Sequence, residues 1–226
     1  QIMIQGYLPA IVDGDKRSML TERGANAALD PDSVSDAILA GAAALHFTGY
    51  SLFGRSETTG FARLIKRAKS RGVHVSVDAA SAGFMEDFGA GRFLAAIAGA
   101  DLLFPSLDEG RALTGLDDPP SIAKELGRHF PVVALTLGSS GVIVASKGDP
   151  IVVDVVPVKT VDPTGAGDAF LASYAHARAQ GIAPVEAGRS ACESVSALLA
   201  ARAGALPQAS ARARRRRART RSARPI

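Results

Sequence analysis

The sequence contains few of the features that mark disulfide-bonded, zinc-binding or membrane-spanning proteins. Cys192 is its single cysteine, which excludes an internal disulfide and favours a reducing compartment such as the cytoplasm. The four histidines are scattered and no C-x-x-C pair occurs, so the sequence offers no zinc-site pattern. No uncharged apolar run reaches the length of about 18 residues that a membrane span needs. We therefore expect a cytoplasmic protein without a membrane partner.

Acidic residues are absent from the last segment, residues 205–226, which contains eight arginines. Subtracting these eight from the 26 Lys and Arg of the whole chain leaves 18 basic against 22 acidic residues, a mildly acidic balance. Apolar periodicity stops at Pro207, so we predict one domain over residues 1–206 and a disordered Arg-rich tail over 207–226. Arg214–Arg217 could contact phosphates, but the tail has no aromatic residue to stack on bases, so nucleic-acid binding is the weaker interpretation.

Strand and helix patterns alternate along the chain, which predicts a three-layer α/β fold with a largely parallel central sheet. One helix is predicted from Pro31 to about Ala42 and a shorter one from Phe93 to Gly99. The other main elements are predicted strands at 44–48, 73–78, 101–104, 131–137 and 142–145, and predicted helices at 58–71, 165–180 and 184–203. Ligands of such folds bind at the carboxyl ends of the strands. No G-x-G-x-x-G follows an early strand, which disfavours a dinucleotide dehydrogenase.

The most informative segment is Asp162-Pro163-Thr164-Gly165-Ala166-Gly167-Asp168-Ala169-Phe170, which precedes an alanine-rich helical pattern. Small residues let the backbone approach an anion, and a helix start offers unpaired N–H groups. A carboxylate beside such an anion hole suits a base that takes a proton from an attacking hydroxyl. We therefore predict phosphoryl transfer, with Asp168 as base and Gly165, Ala166 and Gly167 as anion hole. The alternative is a glycine-rich helix start that only caps itself.

Two further strand ends carry suggestive residues. Thr136-Leu137-Gly138-Ser139-Ser140-Gly141 could touch a phosphate or a ribose, or it could be an ordinary hairpin turn. Ser106-Leu107-Asp108-Glu109 places acidic residues after a strand, and its alternative interpretation is an ordinary acidic helix start.

At these three segments the chain resembles the carbohydrate kinases of the ribokinase type, also called the phosphofructokinase B type. The family's signature is close to D-T-x-G-A-G-D-x-F, and residues 162–170 match it with Pro163 at a tolerated position. The resemblance implies a ribokinase-like fold and contacts of Thr136, Gly138 and Gly141 with ATP. Arg23–Leu29 is similar to the family's R-G-A-N-x-x-L stretch near the sugar lid, with Arg23 and Asn26 as its polar residues.

The resemblance also implies two metal sites. The family has N-x-x-E at the third segment, so Glu109 inherits a role beside hydrated Mg²⁺, and Ser106 stands where an Asn is expected. Several family members bind a potassium-like ion in the signature loop, to which Asp162 and Thr164 would supply oxygens; the alternative for Asp162 is a capping or turn role. The expected activity is ATP-dependent phosphorylation of a hydroxyl on a small-molecule sugar.

The family's first signature, a Gly-Gly motif with a nearby Asn, has no counterpart in this sequence. We therefore expect a domain without its N-terminal third, in which an exposed sheet edge favours self-association, and a homodimer stays open. An inactive nucleotide-binding remnant is the alternative function.

Overall fold

The computed structural model describes residues 5–7, 10–13, 16–19, 22–24, 28–53, 55–155, 158 and 163–205. The chain divides into two compact units, Gln1–Val133 and Ala134–Ile226. The predicted tail beyond Pro207 lies outside the described residues, as do Asn26 and Asp162. No helix in the described part of the chain is long and apolar enough to cross a membrane.

The centre of the fold is a six-stranded sheet with the order β10-β9-β8-β7-β6-β5. Its strands are β5 (Ala44–Thr48), β6 (His74–Asp78), β7 (Leu102–Phe104), β8 (Val132–Thr136), β9 (Val142–Ala145) and β10 (Ile151–Val153). Strands β5 to β8 pair in parallel, and β9 pairs with β10 antiparallel. The predicted α/β fold with a largely parallel sheet is thereby confirmed. Thr48, Asp78 and Phe104 stand opposite one another in the register, so β5, β6 and β7 end at one edge.

Two small hairpin-like sheets precede the central sheet. Strand β1 (Gln5–Tyr7) pairs with β4 (Glu22–Gly24), and β2 (Ala10–Asp13) pairs with β3 (Lys16–Met19), both antiparallel. In the β2–β3 pair, Asp13 stands opposite Lys16.

The helices of the first unit are α1 (Asp36–Ala40), α2 (Thr59–Lys69), α3 (Ala82–Phe88), α4 (Ala90–Ala96), α5 (Leu107–Thr114) and α6 (Pro119–Leu126). Helix α2 is amphipathic, because Phe61, Leu64, Ile65 and Ala68 recur at helical spacing and are all buried. Its other face is basic, and Arg63 and Arg67 bond to Asp32 and Asp36.

Two helix predictions need correction, and one further helix was not predicted. The single helix predicted from Pro31 to Ala42 is a 3-10 turn at Pro31–Ser33 followed by α1, because Val34 is extended and Ser35 caps a new helix by accepting from the Ile38 N–H. The helix predicted from Phe93 begins earlier, at Ala90, and ends at Ala96. Helix α3 was not predicted at all. It is separated from α4 by Gly89, whose φ of 92° breaks the helical path.

The second unit contains α7 (Ala166–Ala179) and α8 (Pro184–Ala205), which pack on each other and lie close to the predicted bounds. Helix α8 also packs on β9 and β10. Gly188 permits this approach, since a Cβ at that position would lie 3.0 Å from a methyl carbon of Val144. Tyr174, Ala187 and Ala191 are fully buried in the same layer.

Candidate active site

The start of α7 has the backbone geometry of an anion-binding turn. Gly165 caps the helix with φ 80°, a left-handed conformation that glycine adopts without strain. The Ala166 N–H donates to the Pro163 carbonyl at 3.0 Å, and the Ala169 N–H donates to Gly165 at 3.0 Å. The N–H groups of Gly167 and Asp168 lie in the first turn, where no carbonyl of an earlier helical turn can accept from them. These two groups are the best placed to bind an anion.

Asp168 lies in the first turn of α7 and is exposed to solvent. Within the described residues, its carboxylate takes part in no hydrogen bond or ion pair. A general base must be accessible to the proton that it removes, and this carboxylate is accessible.

A cavity of about 130 Å³ adjoins the start of α7 within the second unit. The structure there brings together residues that the sequence predicted from two different motifs. Thr136, Gly138 and Gly141 come from the turn after β8, and Ala166 and Gly167 come from α7. Apolar side chains complete the wall, namely Val155, Phe170, Cys192 and Val195. Cys192 is buried.

The turn after β8 requires glycine for steric reasons. Gly138 and Gly141 have φ values of 60° and 91°. A Cβ on Gly141 would lie 2.2 Å from the Val153 carbonyl oxygen, far inside van der Waals contact. The turn closes through a hydrogen bond from the Leu137 N–H to the Gly141 carbonyl at 2.8 Å. The backbone of Gly141 therefore lies directly against β10. At Gly138 and Gly141, the turn presents backbone rather than a side chain to the cavity.

In the first unit, Ser106 and Glu109 form a capping box at the start of α5. The Ser106 N–H donates to Glu109 Oε2 at 2.7 Å, and the Glu109 N–H donates to the Ser106 hydroxyl at 3.4 Å. Ser106, which stands where the family has Asn, thus has a defined structural role. Glu109 is only 9% exposed. Burial raises the pKa of its carboxyl group, and the nearby charge of Asp78 raises it further.

Asp78 was not among the predicted site residues, although the sequence placed it at the carboxyl end of a strand. Strands β6 and β7 are neighbours, which brings Asp78 into the electrostatic range of Glu109. Two carboxylates near each other in a partly buried setting favour a bound cation, and Mg²⁺ prefers oxygen ligands. The described residues contain no cluster of three or more metal-ligating side chains.

The oxygens predicted for a potassium-like ion are only partly described. Asp162 lies outside the described residues, whereas Thr164 is exposed. The Thr164 carbonyl accepts a hydrogen bond from Arg202 Nη1 at 2.7 Å, so α8 holds the residue that precedes Gly165. A guanidinium therefore already donates to this carbonyl oxygen, and the potassium site stays a prediction.

An aromatic rim lies near the carboxylate pair in the first unit. Tyr50 and Phe84 are 41% and 37% exposed, and their rings meet edge to face at 5.9 Å. Burial raises the pKa of the Tyr50 hydroxyl, and the charges of Glu109 and Asp78 add to the effect. Gly49, the preceding residue, is packed tightly, since a Cβ there would lie 2.6 Å from the Ala79 carbonyl oxygen.

Sequence relatives include two kinases of small molecules. An ATP-dependent 6-phosphofructokinase from Thermoanaerobacterium thermosaccharolyticum is 37% identical over 79 residues, which cover 34% of this chain and 24% of the relative. A ribokinase from Mus musculus is 39% identical over 75 residues, which cover 30% of this chain and 23% of the relative. The matched segments therefore span about a quarter of each relative's length.

Solved structures of larger kinases share the fold. Adenosine kinase from Sinorhizobium meliloti superimposes with a TM-score of 0.77 at 23% identity, covering 86% of this chain and 60% of that chain. A ribokinase II candidate from E. coli, solved with ATP and Mg²⁺, gives a TM-score of 0.72 at 23% identity, covering 85% of this chain and 64% of that chain. At these identities the likeness establishes the fold alone.

The family follows from a match over most of the chain. Residues 6–210 fit the model of the pfkB family carbohydrate kinases, and they include all three motifs discussed above. With this match, and with the shared fold, the chain belongs to the pfkB family of carbohydrate kinases.

Proposed function

We propose that this protein transfers the γ-phosphoryl group of ATP to a hydroxyl group of a sugar or sugar-like molecule. The observation that carries the proposal is the cavity of the second unit, where the glycine turn after β8 and the start of α7 line one space. A nucleotide needs an apolar recess for its base and N–H donors for its phosphates. This cavity offers apolar side chains on one wall and the first turn of α7 on another. The names of the two curated relatives support the same class of reaction.

In the proposed reaction the acceptor hydroxyl oxygen forms a bond to the γ-phosphorus while the bond from that phosphorus to the ADP oxygen breaks. Asp168 accepts the hydroxyl proton, because its exposed carboxylate stands beside the anion-binding turn. The backbone N–H groups of Gly167 and Asp168 stabilise the negative charge on the transferring group. ADP leaves with the electron pair of the broken bond, so the charges balance.

Glu109 and Asp78 are the carboxylates that we assign to Mg²⁺. When bound to these carboxylates of the first unit, the ion would supply positive charge for the reaction. The protein's own contribution is to hold Glu109 in place, since the Ser106 N–H bonds one carboxylate oxygen at 2.7 Å and leaves the other available. The E. coli structure of the same fold was solved with ATP and Mg²⁺, which supports ATP and Mg²⁺ as the proposed donor and metal.

The substitution Asp168→Asn tests the proposal. It removes the base but keeps the side-chain shape, so turnover should fall by about 100-fold or more while ATP binding persists. ADP release would be measured with ATP, MgCl₂ and a panel of sugars and nucleosides, and ATP affinity by titration calorimetry. Asp149→Asn is the matched control, because Asp149 is an exposed carboxylate in the loop between β9 and β10. Retention of more than about a tenth of the activity in Asp168→Asn would refute the base assignment.

The same assays address the alternative function. Tight ATP binding without turnover of any acceptor, by the unmodified chain, would favour an inactive nucleotide-binding protein. Absence of both binding and turnover would contradict the nucleotide site itself.

A further inference from the structure

Few side chains that line the cavity beside α7 can form a hydrogen bond to the edge of a nucleotide base. Its side chains next to the anion-binding turn include Val155, Phe170 and Val195, which have no hydrogen-bonding atoms. Among the described lining residues, only Thr136 and Cys192 carry a side-chain donor or acceptor. No charged or amide side chain of the described part lines the cavity.

The two polar side chains of this wall are weak readers of a base edge. A thiol is a weak donor and a weak acceptor. Burial raises the pKa of Cys192, so the thiol stays neutral near pH 7. Thr136 is a terminal residue of β8, next to the glycine turn. A hydroxyl carries both a donor and an acceptor, so it does not by itself distinguish a keto group from an amino group.

Most of the backbone N–H and C=O groups around the cavity already form hydrogen bonds within their own turn or helix. In the turn after β8, the N–H groups of Leu137, Ser140 and Gly141 donate to carbonyls of the same turn, at 2.8, 3.1 and 3.3 Å. Cys192 and Val195 lie in the interior of α8, where N–H and C=O groups bond along the helix. Little of the described backbone is left to distinguish the edge of one base from that of another.

We propose that this cavity binds the purine base of the phosphoryl donor without distinguishing adenine from guanine. The inference rests on the proposed function and specifies its donor: purine nucleoside triphosphates as a class rather than ATP alone. A site that hydrogen-bonds a substrate group rejects the analogue lacking it by about 10⁴-fold, whereas an apolar pocket discriminates by only about 10- to 200-fold. Because adenine and guanine present the same flat purine face to apolar side chains and differ in the polar groups along their edges, we expect a ratio at the low end of that range.

The experiment measures the affinities of ATP, GTP and ITP for the full chain by displacement of a fluorescent ATP analogue. We expect dissociation constants within about tenfold of one another. A preference of more than about 100-fold for ATP would overturn the inference while leaving the proposed kinase function intact. Failure of every nucleotide to displace the analogue would overturn the proposed nucleotide site, and this inference with it.

A substitution in the wall tests where the base lies. Val195→Asn adds an amide to the cavity, and the ratio of the GTP and ATP dissociation constants should change by about tenfold or more, because one base then gains or lacks a partner. Ser194→Asn is the matched control, since Ser194 is exposed on the same helix and does not line the cavity. The near-isosteric Val195→Thr is a second variant in case the amide impairs folding. An unchanged ratio in both folded Val195 variants would place the base elsewhere and overturn the inference.

Discussion

At the scale of single residues, Glu109 shows how one side chain can serve structure and chemistry at once. Its carboxylate completes the capping box with Ser106 and also stands near Asp78 at the strand ends. The pKa of its carboxyl group is raised, mainly by burial and then by the Asp78 charge. An ionised carboxylate in such a place lowers the stability of the protein when no cation is bound, as expected for a functional site.

The substitution Glu109→Gln should therefore raise stability at neutral pH. A carboxyl group whose pKa is higher in the folded than in the unfolded state stabilises the fold when protonated, and loses this contribution as the pH rises through its folded pKa. Glutamine stays neutral and its oxygen can still accept from the Ser106 N–H. We expect the melting temperature of the variant to exceed that of the wild type at pH 8, with a difference that shrinks toward pH 4. The Mg²⁺ dependence of turnover should weaken at the same time.

Differential scanning fluorimetry from pH 4 to pH 8, without Mg²⁺, measures this difference. Asp108→Asn is the control, because Asp108 is an exposed carboxylate one residue earlier in α5. A Glu109→Gln variant that melts below the wild type at pH 8 would contradict this prediction. It would mean that the carboxylate charge stabilises the capping box by more than the burial of that charge destabilises the fold.

At the scale of elements, the turn between β8 and β9 depends on the approach of β10. Gly141 has a positive φ and almost touches the Val153 carbonyl oxygen, so its lack of a side chain serves both backbone conformation and packing. Gly138 has a positive φ as well, but a Cβ there would meet nothing within 4 Å. A residue with a Cβ at Gly138 would therefore add backbone strain alone, whereas the same residue at Gly141 would add a steric clash as well.

We predict that Gly141→Ala destabilises the protein more than Gly138→Ala does. Alanine at Gly138 adds only the left-handed backbone cost, about 1 kcal/mol, whereas alanine at Gly141 also forces β10 away and should cost about 3 kcal/mol or more. The free energy of unfolding would be measured by urea denaturation, and nucleotide affinity by displacement. Equal losses in the two variants would contradict the tight approach of β10 to the turn.

At the scale of the whole molecule, charge is distributed unevenly along the chain. The net charge of +4 reverses to −4 when the eight arginines after Pro207 are left out, as the counts of 18 basic and 22 acidic residues require. Several basic residues in α2 and just after it have acidic partners: Arg67 and Arg71 both pair with Asp36, and Lys69 pairs with Asp101. Excess positive charge therefore resides in the C-terminal residues.

Deletion of Pro207–Ile226 should leave the melting temperature within a few degrees of the wild type, because these residues show no apolar periodicity. It should also abolish any salt-sensitive binding to duplex DNA, since such binding depends on counterion release by basic residues. Melting curves and fluorescence anisotropy at two salt concentrations test both statements. A large drop in melting temperature would show that the last residues pack on the rest of the protein.

Much of the fold and part of the site could be predicted from local patterns. The parallel strands and helices α2, α7 and α8 were predicted because their apolar spacing is visible over five or more residues. Helix α3 escaped prediction, since its seven residues follow Ala80, which has a positive φ, and end at a glycine break. The break at Ser35 between the 3-10 turn and α1 was not predicted. A 3-10 turn followed by a short helix gives the same sequence of polar and apolar residues as a single helix.

The sequence by itself determined the class of the fold and the family, and it predicted the chemistry of the residues at the start of α7. Those properties depend on neighbours along the chain: small residues at a helix start, and a carboxylate three positions after Gly165. Only the tertiary structure decided that Asp78 acts on Glu109, and that Cys192 and Val195 complete a cavity with Thr136. These residues are far apart in the chain, and their meeting depends on which strands pair and on how closely α8 packs at Gly188. The partners in such packing cannot be inferred from the spacing of apolar residues in a single sequence, because many small or apolar residues fit the same helix or strand pattern.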